Sequence, residues 1–221
     1  MDFKPKNMMP MRKEVRVALI STLSAAIFLG GIIGLVASAD NNYDDIYDPE
    51  TNTPDGGSEE TDLIVFNPLT EVLAKPTKGD VKIATYFYDP TDDASIRENA
   101  IINVPGSSDT YTKSLGVDYN SNNQFDVLAV ASGTVISKGN DGTYGNMILI
   151  EHETGAQFIY CSLGKININK GDTVSQGDVI ATSGESLYTS GLGQSLHFEV
   201  LNSEGEYVNP EKSYSLIVAE L

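Results

Sequence analysis

KININKGDTVSQGD, residues 165–178, is the stretch whose reading decides the fold. A strand-like alternation through Ile166 and Ile168 runs into Lys-Gly-Asp. A lone Val174 then leads into Gln-Gly-Asp. Glycine supplies the backbone freedom that tight turns need, and a neighbouring Asp bonds back to its own turn. The pattern predicts a hammerhead-like pair of tight turns at the end of a strand. Short apolar runs lie on both sides of it: FDVLAVA (125–131), GTVIS (133–137), NMILIEH (146–152), AQFIYCSL (156–163), DVIATSG (178–184) and SLHFEVL (195–201). Gly, Asn and Asp clusters separate them at close spacing, which is the mark of an antiparallel β-domain rather than of alternating strands and helices. A mainly β, antiparallel β-sandwich is therefore expected from Asp118 onward. Upstream, residues 63–66 (LIVF) and 81–88 (VKIATYFY) read as strands, broken apart by Pro68, Pro76 and Gly79, and residues 92–100 as a short helix.

The N-terminal end has a different character. Residues 17–36, VALISTLSAAIFLGGIIGLV, carry no charge over 20 positions. At about 1.5 Å per residue such a helix spans roughly 30 Å, the thickness of a bilayer's hydrocarbon core. Lys4, Lys6, Arg12, Lys13 and Arg16 precede it against Asp2 and Glu14, so the N-terminus is expected in the cytoplasm and the remainder outside. Ala37-Ser38-Ala39 also has the small residues of a signal-peptide cleavage site, but the apolar run exceeds the roughly 7–15 residues of a secretory signal core. Length favours an uncleaved transmembrane helix over residues 17–39, behind a cytoplasmic stub of 1–16. Residues 40–61 hold eight acids and no base, without apolar periodicity, and read as a self-repelling disordered spacer.

Charge and cysteine usage exclude several classes of function. The formal net charge is −17, and residues 1–39 contribute about +3 of it, which leaves about −20 for the rest. A surface so acidic does not suit the phosphates of nucleic acid. Cys161 is the only cysteine, so neither an internal disulfide nor a paired-cysteine zinc site exists. In its apolar run it reads as a small buried hydrophobe.

Taken in order, SLGVDY, VLAVASGTVIS, YGNMILIEHETG, FIYCSL, KGDTVSQGDVIATSG and LHFEV resemble the LytM, or M23, peptidase domain over residues 114–210. The resemblance implies a zinc held by a His-x-x-x-Asp segment and by the second His of His-x-His. It also implies two further histidines that assist the chemistry, one of them in a Tyr-x-His-Leu segment. Here those segments read Ser114-Leu115-Gly116-Val117-Asp118, Ser195-Leu196-His197 and Tyr160-Cys161-Ser162-Leu163. Ser114, Asp118 and His197 would thus be a vestigial metal set, and Ser162 and Ser195 degenerate catalytic positions. A catalytic zinc needs about three protein ligands, and a serine hydroxyl is a poor one. No bound metal, no cofactor and no enzymatic activity are expected. His152, the other histidine, reads as structural.

The cytoplasmic stub, single anchor, acidic spacer and LytM-like domain together resemble the stage II sporulation protein Q family. That resemblance implies a forespore membrane location and an outer domain facing the intermembrane space. It further implies a partner, stage III sporulation protein AH in the opposing membrane, joined in a multimeric ring that acts as an adhesion zipper or channel during engulfment. The organisation expected is a shoulder of strands and a short helix at 62–108, a degenerate LytM/M23 domain at 109–212 and a tail at 213–221. Two alternatives remain: a degenerate LytM regulator of a cell-wall amidase or peptidoglycan-binding protein, and a zinc endopeptidase. The partner-binding residues are not identifiable from the sequence.

Overall fold

The computed structural model describes residues 67–221. The membrane span, the acidic spacer and the strand expected at 63–66 lie outside the described residues. Among the described residues no helix is long and apolar enough to cross a membrane.

Twelve strands and two short helices follow in order. They are β1 (Lys82–Thr85), α1 (Ala94–Asn99), β2 (Ile101–Asn103), β3 (Tyr111–Lys113), β4 (Val117–Ser121), β5 (Asp126–Leu128), β6 (Gly133–Asp141), β7 (Gly145–Glu151), β8 (Gln157–Ile166), β9 (Thr173–Val174), β10 (Val179–Ser183), β11 (Gln194–Leu201), β12 (Tyr207–Val208) and α2 (Pro210–Ser213). The fold is mainly β and antiparallel. Each apolar run of the LytM-like region becomes a strand, because alternating residues of a strand can bury one face while the other stays solvated.

The sandwich expected from the sequence takes a particular form. Ten strands belong to one hydrogen-bonded sheet, in the order β1-β4-β11-β8-β7-β6-β9, with β5, β10 and β12 branching from it. The branch point is β8. On one edge it carries β11 from Gln157 to Cys161, and it carries β10 from Leu163 to Ile166. A single long strand can serve two neighbours in this way only if it bends between them. The bend falls at Ser162, whose φ of 59° is one of two positive values among non-glycine residues described. The β5–β10 branch folds over the main sheet, so Val127 and Ile180 meet Phe158, Tyr160, Phe198 and Val200 in one core. Phe158, Tyr160 and Phe198 are fully buried, each stabilising the fold by roughly 2–3 kcal/mol through the apolar surface it removes from water. Tyr160 satisfies its hydroxyl by accepting a 3.0 Å bond from Val130 N.

The Lys-Gly-Asp and Gln-Gly-Asp turns flank β9 as expected. Gly171 and Gly177 take φ of 91° and 87°, and Asp172 and Asp178 accept bonds from Asn169 N and Ser175 N at 2.7 and 2.8 Å. The strand expected over 81–88 is shorter, ending at Thr85 after a register shift against β4, and Tyr88 N donates to Ser114 O instead. Segments outside the LytM-like stretch join the same core. Leu73 and Val218 are buried in it. Glu71 accepts from Ser132 N, Ser132 Oγ and His152 Nε2. His152 Nδ1 accepts from Thr154 N at 3.2 Å, so Nε2 carries the proton toward Glu71. His152 therefore fastens the chain's 67–75 segment to the domain.

Candidate functional site

Three neighbouring strands bring the sequence's candidate residues together. In the β4–β11–β8 ladder His197 stands opposite Asp118 on one side and Cys161 on the other. Gly116 permits the close approach of the segment that leads into β4. A Cβ there would collide with the backbone oxygen of Phe198 and lie 3.0 Å from His197 Cε1.

His197 has no solvent-exposed surface, and both ring nitrogens face carboxylates. Nδ1 lies 2.6 Å from Asp118 Oδ1, and Nε2 lies 2.9 Å from Glu199 Oε1. A carboxylate only accepts, so both nitrogens donate and the ring is an imidazolium. Burial pushes its pKa down, but the Asp118 charge and the hydrogen bonds to both carboxylates outweigh it and raise the pKa to about 10. Glu199 was not among the sequence's candidates. It sits two residues beyond His197 on the same strand, so period-two geometry puts both side chains on one face.

The serines are turned elsewhere. Ser114 Oγ donates to Gly116 O at 2.9 Å and closes its own turn. Ser162 and Ser195 join a chain of hydroxyls instead. Ser162 Oγ is 2.7 Å from Ser186 Oγ, Ser186 Oγ is 3.1 Å from Thr189 Oγ1, and Ser195 Oγ is 2.7 Å from Thr189 Oγ1 and 3.2 Å from Gly184 O. Each hydroxyl can donate and accept, which lets such a chain satisfy itself without water. Ser114, Ser162, Ser195 and Thr189 are all buried.

Two aromatic rings complete the site. Tyr188 stacks on Tyr144 with centroids 4.7 Å apart, and its own centroid is 4.5 Å from the His197 ring. Burial pushes the Tyr188 phenol well above its ordinary range, the Asp118 charge adds to this, and a hydrogen bond with Ser114 pulls it slightly back. Cys161 is buried, and burial together with Glu199, Asp141 and Asp118 raises its thiol well above the ordinary range, so it carries no thiolate.

This arrangement defines an M23-type domain: residues 112–210 match Peptidase family M23. DD-carboxypeptidase/endopeptidase Mpg of Neisseria meningitidis serogroup B (strain MC58) is 33% identical over 101 residues, which cover 46% of this chain and 23% of that protein. Stage II sporulation protein Q of Bacillus subtilis (strain 168) is 29% identical over 204 residues, covering 90% of this chain and 70% of that protein. A solved chain of the SpoIIQ–SpoIIIAH pore-forming complex matches with a TM-score of 0.62 and 30% identity, covering 68% of this chain and 96% of that one. The chain belongs to the stage II sporulation protein Q family.

Proposed function

We propose that this chain is a non-catalytic sporulation protein, held in the forespore membrane by the apolar span at 17–39. Its outer domain would bind stage III sporulation protein AH across the intermembrane space. The observation that carries the non-catalytic part is that serine stands at 114, 162 and 195, where the M23 pattern has histidine. Only Asp118 and His197 of that ligand set remain, and a catalytic zinc needs about three protein ligands. Ser114 is committed to its own turn and Ser162 and Ser195 to the hydroxyl chain. Among the described residues no group of three or more His, Cys, Asp or Glu side chains is placed to hold a metal ion. The residues present do not fit the zinc of M23 peptidases. They also leave no histidine at 162 or 195 to move a proton, a service commonly worth about 10²–10⁴-fold in rate.

The binding part is supported by family membership and by the match to a chain of the SpoIIQ–SpoIIIAH complex. The acidic spacer at 40–61 suits a domain held clear of its membrane to reach a second one. The test is a titration of the full chain, in detergent, with the outer part of stage III sporulation protein AH. Binding with a Kd of about 1 μM or tighter, corresponding to roughly −8 kcal/mol, is expected. Absence of binding, combined with release of cross-link peptides from purified peptidoglycan, would overturn the reading.

A further inference from the structure

Neither the strand ladder nor the hydroxyl chain accounts for Tyr144 and Tyr188. Tyr144 lies in the turn between β6 and β7, and Tyr188 in the connection between β10 and β11. Both rings nevertheless converge on His197, at centroid distances of 5.9 and 4.5 Å. Tyr144 and Tyr188 are half-buried, whereas His197 is buried.

The backbone holds this cover in place at several points. Tyr188 N donates to Thr143 O at 2.8 Å, which joins the two loops directly, and Ser162 N donates to Tyr144 O at 2.8 Å. Ser186 Oγ ties the second loop to Ser162. Gly145, at φ 72°, lets the loops approach, because a Cβ there would sit 3.1 Å from Ser186 Cβ.

We infer that the cleft above His197 is filled from within by Tyr188, backed by Tyr144. The space that a metal-bound water and a substrate peptide would need is already occupied by this chain's own side chains. The three serines are consequently not the only barrier to metal chemistry. Histidines placed at 114, 162 and 195 do not rebuild a metal site while Tyr188 stays in position. The inference rests on the non-catalytic reading only for the choice of those three positions. Partner binding plays no part in the test, so a failure here leaves the partner reading standing.

The test uses the full chain in detergent, dialysed against micromolar zinc and assayed for bound metal. The triple variant Ser114→His, Ser162→His, Ser195→His is expected to retain less than about 0.2 zinc per chain. Adding Tyr188→Ala should raise this to about one, the stoichiometry of a rebuilt M23 site. Stoichiometric zinc in the triple variant with Tyr188 intact would overturn the inference. So would a quadruple variant that keeps its circular dichroism and thermal transition yet binds none. Should the quadruple variant not fold, Tyr188→Ala alone decides the matter through the exchange rate of the His197 C2 hydrogen, read by mass spectrometry. Exchange at least about tenfold faster than in the unaltered chain is expected, with Tyr188→Phe remaining slow because the ring still covers the site. An unchanged rate in Tyr188→Ala would overturn the inference.

Discussion

His197 Nδ1 lies 2.6 Å from Asp118 Oδ1 across the β4–β11 pair, with both side chains buried. With Glu199 on the other ring nitrogen, His197 is held charged, its pKa raised from 6.5 to about 10. A group whose folded pKa exceeds its unfolded value stabilises the fold most at low pH. The contribution is fully present below about pH 6.5, declines as pH rises, and is gone once the pH has passed about 10. The urea midpoint of the unaltered chain should therefore fall between pH 7 and 10 more steeply than that of a His197→Gln variant. Equal slopes would mean that the imidazolium contributes nothing to stability.

Gly116 is a second place where packing at the site decides stability. A methyl group there meets the Phe198 backbone oxygen and Glu199 Cγ, and neither the β11 backbone nor the neighbouring His197 ring can move freely. Gly116→Ala is expected to destabilise the chain by about 1–3 kcal/mol through overpacking. Gly139→Ala is the control, since a Cβ at that exposed strand position meets nothing within 4 Å. It should change stability by less than about 0.5 kcal/mol. Comparable losses in denaturant unfolding of the two variants would contradict the packing argument.

The turns around β9 were legible because their chemistry is local: Gly171, Gly177, Asp172 and Asp178 each shape the turn within three residues of themselves. Asp118 and His197 were legible as members of short motifs. Glu199 could have been found, since it is two positions from His197 on a strand. Tyr144, Tyr188 and the Glu71–His152 bond could not. They join segments up to 81 residues apart, and nothing in their immediate neighbours marks the pairing. The forked form of the sheet was also hidden. It depends on a bend in β8 at a serine, where pattern alone suggests a continuous strand.

That bend makes Ser162 informative. Its left-handed backbone is tolerated by glycine and strained for β-branched residues, while its hydroxyl meets Ser186 and Thr189. Ser162→Val should cost about 3 kcal/mol, combining backbone strain with a broken buried hydroxyl chain. Ser162→Gly loses the same hydroxyl but relaxes the backbone, so it should cost no more than about 1 kcal/mol. Thermal unfolding of the pair separates the two effects. Equal destabilisation would show that the hydroxyl chain alone matters and that the bend in β8 carries no strain.

Asp118 and His197 should also behave as one energetic unit that is separate from partner binding. His197→Ala leaves the Asp118 and Glu199 carboxylates beside an empty site with no cation between them, and is expected to cost about 3–5 kcal/mol. Asp118→Ala should cost less, because Glu199 still holds the imidazolium. The double variant should be more stable than the sum of the two losses implies, with a coupling of roughly 1–3 kcal/mol, as expected for residues in one buried network. Among molecules that remain folded, affinity for the stage III sporulation protein AH outer domain should stay within about threefold of the unaltered chain, since these side chains present no surface to a partner. Denaturant unfolding gives the cycle, and titration at a temperature well below each transition gives the affinity. Strict additivity would dissolve the unit. A large loss of affinity in a demonstrably folded variant would place the remodelled site at the partner interface.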